Sequence, residues 1–317
     1  MVFLYKSKTP LSIFTLPIVI AIACSSLFFR HSGEFFYYFN WQTEWFQSIH
    51  EIPWLNFLLA GALISLNAHQ LNNVFNRNTF YSKDSFLPGF IYVAGLITSH
   101  MLDFSPLLIG HTFIIGSFAA LLQLKRQEPA KNQVFIGSFL IGMAIVFSPM
   151  QITLALLPWI SLIIIRPFNW REWIIALLGM GIPVYFHFTI YFITTGTWNI
   201  ESADFVLHQV DLSWTIMDQI KYGFFTFCIL IAVLRYLIIM RNQLVNFKKI
   251  SQVVLVAALL SVLSFFIGWY GFNMIYSGFL IPAGIIISVQ LLYSERPALS
   301  SGLVTAWFFV ALVGLFI

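Results

Sequence analysis

Apolar residues run along this chain in long blocks separated by short polar breaks. The blocks cover 10–29, 53–70, 86–101, 106–124, 133–148, 150–165, 172–194, 219–240, 250–270, 274–293 and 300–317. Most approach the ~20 residues that an α-helix needs to cross a hydrocarbon core. The shorter ones can be accommodated by tilt or local thinning of the bilayer. The pattern predicts an all-α, polytopic membrane protein with about eleven transmembrane helices. It forms a single transmembrane domain over 1–317. Leu102-Asp103-Phe104-Ser105-Pro106 makes a tight hairpin between two blocks, and Phe147-Ser148-Pro149 makes another. The pair at 133–165 reads either as two spans or as a re-entrant pair. The first block, from Leu11 to Phe29, has no small-x-small cleavage site before Arg30 and is long enough to span, so it is expected to be a retained helix.

Composition agrees with lipid as the solvent. The chain is 59% hydrophobic and 9% charged, whereas a soluble domain carries about 25% charged residues. One core could not hide that much apolar surface. A net charge of +4 is too small for a nucleic-acid footprint. Cys24 and Cys228 fall inside apolar blocks, where packing is expected rather than a disulfide.

Charge gives the pattern a direction. If the N-terminus is cytoplasmic and the blocks alternate, fourteen of the sixteen Lys and Arg residues fall on the inner side. Only Arg30 and Lys221 fall outside. Eight of the twelve acids go the other way: Glu34, Glu44, Glu51, Asp103, Glu201, Asp204, Asp211 and Asp218. This is the bias of the positive-inside rule, and it predicts a periplasmic C-terminus.

Two outer segments are too long to be turns. In 31–52, Phe35, Tyr38, Phe39, Trp45, Phe46 and Ile49 share one helical face, as expected of an amphipathic helix lying on the outer leaflet. The second is the outer loop 195–218, which also has helical periodicity. There Glu201, Asp204, His208 and Asp211 are spaced three, four and three apart and fall on one face. Carboxylates around an imidazole can hold a divalent metal or orient a general base. The same pattern also describes the solvated face of an interfacial helix.

Other polar groups lie in or beside the spans, where they are expensive. Glu34 follows Arg30 by one helical turn. An acid there can act as a base while Arg30 grips a phosphate, or the pair can anchor a helix end. His100, Asp103 and His111 surround the first hairpin. They either face a common cavity or meet headgroups at helix ends. On the inner side, Arg166-Pro-Phe-Asn-Trp170-Arg171-Glu-Trp173 forms a basic, aromatic hairpin. It is suited to anchoring, or to docking a membrane-protein partner or anionic lipid through Arg166, Trp170, Arg171 and Trp173.

Around that string, from Gly137 to Pro183, the chain resembles an uncharacterised family of polytopic inner-membrane proteins of the Bacteroidota. The resemblance implies a bacterial inner-membrane location and no mechanism. In architecture the chain is also similar to membrane glycosyltransferases that use polyprenyl-phosphate-linked sugars. Those enzymes share an inner N-terminus and a first outer loop built of interfacial helix. They place a base or metal ligand soon after the first span, a position that Glu34 matches. The chain departs from them in having Glu where Asp is usual and in lacking a large periplasmic domain.

These readings point to an inner-membrane protein of envelope biogenesis, glycosyltransferase-like, acting at the periplasmic face. Glu34, Asp204, His208 and Asp211 would be its catalytic groups. Arg30, His100, Asp103 and His111 would bind substrate. A non-catalytic subunit or assembly scaffold, or a lipid flippase or transporter, would suit the same composition. Sparse mid-span charge and the lack of an inverted repeat weigh against ion-coupled transport.

Overall fold

The computed structural model describes residues 2–7, 10–28, 40–124, 130–196, 216–267 and 272–316. Among them are thirteen α-helices and no strand. In chain order these are α1 (Val2–Tyr5), α2 (Pro10–Cys24), α3 (Asn40–His50), α4 (Pro53–Arg77), α5 (Leu87–Thr98), α6 (Pro106–Leu121), α7 (Lys131–Phe147), α8 (Leu157–Ile165), α9 (Trp170–Thr195), α10 (Ile216–Arg241), α11 (Val245–Ile267), α12 (Phe272–Leu292) and α13 (Pro297–Phe316). Five stretches are long and apolar enough to cross a membrane: Leu11–Phe28, Trp170–Thr194, Asp218–Arg241, Val245–Ser264 and Pro297–Leu315. Five shorter apolar helices accompany them. The chain is therefore a helical membrane protein.

The shortest of these helices that lies wholly inside the bundle is α5, which protein rather than lipid surrounds. All twelve residues of α5 are buried. Its axis rises only about 18 Å, well below the thickness of a hydrocarbon core. It packs against α4, α12 and α13, so the non-helical backbone at its ends is shielded from lipid, the condition under which irregular backbone is tolerated at depth. The long helices α9 and α10 have the opposite character. Leu177, Leu178, Phe186 and Ile193 of α9, and Phe227, Leu230 and Leu234 of α10, are exposed, as lipid-facing side chains should be.

Helix α4 is longer than its apolar block because its second half is rich in amides. Asn67 and Asn72 are buried. Asn72 Oδ1 accepts the Gly89 N–H at 2.7 Å, satisfying one of the orphan amides in the first turn of α5. Asn76 grips Ser85 from both sides, donating to its carbonyl at 3.2 Å and accepting its N–H at 3.0 Å. Ser85 Oγ in turn donates to the Tyr5 carbonyl at 3.0 Å.

The block at 150–165 differs from a simple span. Residues Pro149–Leu156 form a 3₁₀ segment, followed by the nine residues of α8. Pro158 lacks the N–H that a continuous α-helix would bond to the Leu154 carbonyl, which disfavours one unbroken helix through 149–165. Helix α7 packs closely along α9. A Cβ on Gly142 would lie 2.5 Å from the Met180 carbonyl oxygen, and one on Gly179 would lie 2.9 Å from that of Phe135. Small residues that let backbones approach are the usual means of joining helices in lipid.

This packing is testable. Gly142→Ala is expected to destabilise the protein by roughly 1–3 kcal/mol through overpacking. Gly181→Ala, where a Cβ meets nothing within 4 Å, is expected to be neutral or mildly stabilising. Thermal unfolding of both variants in detergent checks the pair.

Candidate functional site

Contacts divide the helix ends into two groups. At one end, the loop between α5 and α6 meets the starts of α4 and α10 and the end of α13. At the other, Tyr5 meets the 78–86 loop, Phe80 meets Phe247, Tyr81 meets Tyr293, and Lys249 caps the Ile165 carbonyl at 3.1 Å. The first end collects ionisable side chains. The second is basic and aromatic.

The α5–α6 loop is shaped by a Schellman turn. The His100 N–H donates to the Ile97 carbonyl at 3.3 Å and the Met101 N–H to that of Leu96 at 3.1 Å. His100 occupies the left-handed position of this turn, with φ of +56°. Glycine is the usual residue there, so the imidazole is held at a conformational cost. Its Nε2 lies 2.6 Å from Lys221 Nζ. Lys221 also sits 2.7 Å from Asp218 Oδ1, one turn earlier in α10, and donates to the Gly314 carbonyl at 3.4 Å. The ammonium is only 1% exposed. Its three donors can meet the His100 nitrogen, the Asp218 carboxylate and the Gly314 carbonyl, and Asp218 Oδ1 also lies 3.8 Å from His100 Nε2. A Cβ on Gly314 would lie 2.8 Å from Lys221 Cδ, so the lysine stem depends on a glycine.

Asp103 occupies the tip of the same loop. Asn56, buried at the start of α4, donates to Asp103 Oδ1 at 3.2 Å and accepts the Phe104 N–H at 2.9 Å. His50, the last residue of α3, donates from Nε2 to the Phe104 carbonyl at 2.9 Å. Phe46 of α3 stacks obliquely on Phe104 with centroids 5.5 Å apart. Helix α3 thus lies across the loop, anchored by Phe46 and His50. Trp45, grouped with Phe46 by sequence spacing, is 72% exposed, because adjacent helical positions point about 100° apart.

His111 lies deeper. It is fully buried, and its Nδ1 is 2.9 Å from the Tyr92 hydroxyl. Asn67 donates to the Leu108 carbonyl at 3.1 Å and accepts from Thr112 Oγ1 at 2.7 Å. So the three residues expected around the hairpin take different partners. His100 goes to α10, Asp103 to α4, and His111 to the interior between α4, α5 and α6. Glu34, Arg30, Asp204, His208 and Asp211 lie outside the described residues. So does the metal reading that rests on the four expected catalytic residues among them. Among the described residues no three His, Cys, Asp or Glu side chains converge as a metal site.

At the basic end, Asn169 caps α9 by accepting the Arg171 N–H at 3.3 Å. The buried carboxylate of Glu172 binds Arg166 at 3.0 Å. Arg171 lies over the Trp170 ring, 5.7 Å from its centroid. Trp173 is partly buried and its carbonyl accepts from Trp159 at 3.3 Å. Trp170 and Phe168 are exposed. Of the four expected docking residues, Arg166 and Trp173 therefore build the hairpin, and Trp170 and Arg171 face outward.

Sequence reasoning passed over Asn56, Asn67 and Tyr92, which carry no charge. It counted Asp218 only as an outer acid, and Lys221 only as an exception to the charge bias. That exception was the available signal, since a basic residue on the wrong side requires a partner. Comparison with protein-family models, curated proteins and solved structures finds no match.

Burial lowers the basicity of His50 below the ordinary range, opposed in part by the Phe104 carbonyl and the Asp103 carboxylate. A folded pKa below the unfolded value, about 6.5, means that the unfolded chain takes up the proton first. The stabilising contribution is full above about 6.5 and is lost as pH falls towards the folded value. Thermal stability in detergent is expected to fall between pH 7.5 and 5, and to fall less in His50→Gln. Equal slopes for the two proteins would contradict this.

Proposed function

We propose that the chain is an inner-membrane enzyme of envelope biogenesis, with eleven membrane passes, a cytoplasmic N-terminus and a periplasmic active face. It would transfer a sugar from a polyprenyl-phosphate carrier. The passes are α2, α4 to α7, the 3₁₀ segment with α8, and α9 to α13. Alternation along that path is supported by the two groups of helix ends. Nearly all charge bias follows the same division, with Lys221 neutralised where it breaks it.

The observation that carries the catalytic reading is the clamp of α3 on the α5–α6 loop. The loop beneath that interfacial helix carries Asp103, tied to Asn56, and His100, tied to the buried Lys221, at one end of the bundle. Such a set can position a phosphate-bearing headgroup and supply a general base. Glu34 would complete it as base or metal ligand, with Arg30 on phosphate and Asp204, His208 and Asp211 from the outer loop. If a divalent cation takes part, Glu34, Asp204 and Asp211 would be the residues to hold it, and it would supply neutralisation of phosphate charge.

The competing reading is a non-catalytic subunit of an envelope complex. The exposed Phe168, Trp170 and Arg171 of the basic hairpin favour it as a docking surface. A stoichiometric partner recovered from native membranes would support this reading.

Deletion of the gene followed by glycan profiling of the cell envelope separates the two. The enzyme reading predicts loss of a glycoconjugate that is restored by the wild-type chain. Glu34→Gln or Asp103→Asn at equal membrane abundance should not restore it, because losing a positioned base costs about 10²–10⁴ in rate. Full restoration by both variants would contradict it.

A further inference from the structure

The 3₁₀ segment Pro149–Leu156 packs between α7 and α11, and its polar side chains point inward. Ser148 is fully buried, Gln151 is 4% exposed and Thr153 is 6% exposed. Ser148 Oγ, Thr153 Oγ1 and both polar atoms of the Gln151 amide have no hydrogen-bond partner among the described residues. Each such group left dry costs about 1–3 kcal/mol. Native interiors carry only a few per hundred residues, and a lipid-embedded bundle has no bulk water to relieve them. Four unmet atoms within six residues call for an occupant.

The backbone is adapted to the same place. Runs of 3₁₀ helix beyond three or four residues are uncommon, yet this one covers eight. On its far side α6 presents Gly110. A Cβ there would lie 3.5 Å from Ser148 Cβ and 3.7 Å from Gln151 Oε1, so the missing side chain leaves the α6 backbone alongside the amide. The next residue, His111, also has an unpartnered buried nitrogen, Nε2.

We propose that Ser148 and Gln151, which share one face of the 3₁₀ turn and are backed by Gly110, form a binding site for a neutral hydroxylic ligand: either water or a sugar hydroxyl. The chemistry selects this class. An amide and a hydroxyl offer both donors and acceptors. No charged residue occurs between Lys131 and Arg166, so an ion would find no counter-charge from this segment. The site is separate from the ionisable cluster at the α5–α6 loop and does not rest on the enzyme reading.

The test is thiol accessibility in the purified full chain, with Cys24 and Cys228 replaced by Ala. Gln151→Cys is compared with Phe90→Cys, a fully buried position of α5, using a small hydrophilic methanethiosulfonate. A polar site predicts modification of Gln151→Cys at least ten times faster than the control. Slower reaction in octyl glucoside than in a detergent without sugar identifies a sugar hydroxyl. Equal rates in the two detergents identify water. Reaction no faster than the control overturns the proposal. Ser148→Cys serves if Gln151→Cys does not fold. If neither folds, Gln151→Leu decides: lower thermal stability than wild type supports the site, and equal or higher stability overturns it.

Discussion

A lipid-embedded bundle has no bulk water at hand for its polar groups, so most must be met within the protein. Helix α4 supplies many of the partners in the core. Its amides reach out at successive levels: Asn56 to the α5–α6 loop, Asn67 to α6, Asn72 to the first turn of α5, and Asn76 to the loop before α5. With both its ends tied in this way, α5 need not span the membrane by itself. It can be short, wholly buried and walled by longer helices. Those longer helices then bear the lipid contact, which is why α9 and α10 are apolar on nearly all sides.

The same demand shapes the ionisable end of the bundle. A lysine without partners at that depth would be expensive. Lys221 is retained with Asp218, His100 and the Gly314 carbonyl around it, and His100 accepts a left-handed backbone to take part. That tie joins α5, α10 and α13, elements far apart in the chain. The α3 clamp and Asn56 fix the rest of the loop, so Asp103 is held by neighbours on two sides.

The helices were legible because apolar blocks of spanning length have few alternatives in a chain so poor in charge. Their exact character was less so. The last turns of α4, with Asn72, Asn73 and Asn76, fell outside its apolar block, since asparagines register as polar even when a neighbouring element satisfies them. The 149–165 stretch passes for a span by hydropathy, which does not register the donor that Pro158 lacks. His111 looks like a helix-end residue only if the loop before α6 lies at the surface, and here its imidazole is buried beside Tyr92. The contact between His100 and Lys221 joins positions 121 residues apart, which no local pattern encodes. Only the misplaced charge of Lys221 hinted at it.

The proposed function places the ionisable end outward and the basic end in the cytoplasm, and sidedness tests that placement most directly. In a chain without Cys24 and Cys228, cysteines at the exposed positions Glu51, Lys83 and Arg171 can be probed with a membrane-impermeant maleimide in intact cells with a permeable outer membrane. The expected result is labelling of Glu51→Cys in intact cells, and of Lys83→Cys and Arg171→Cys only after the inner membrane is opened. The reverse pattern, or labelling of all three from one side, would contradict the assignment of the two ends to opposite faces.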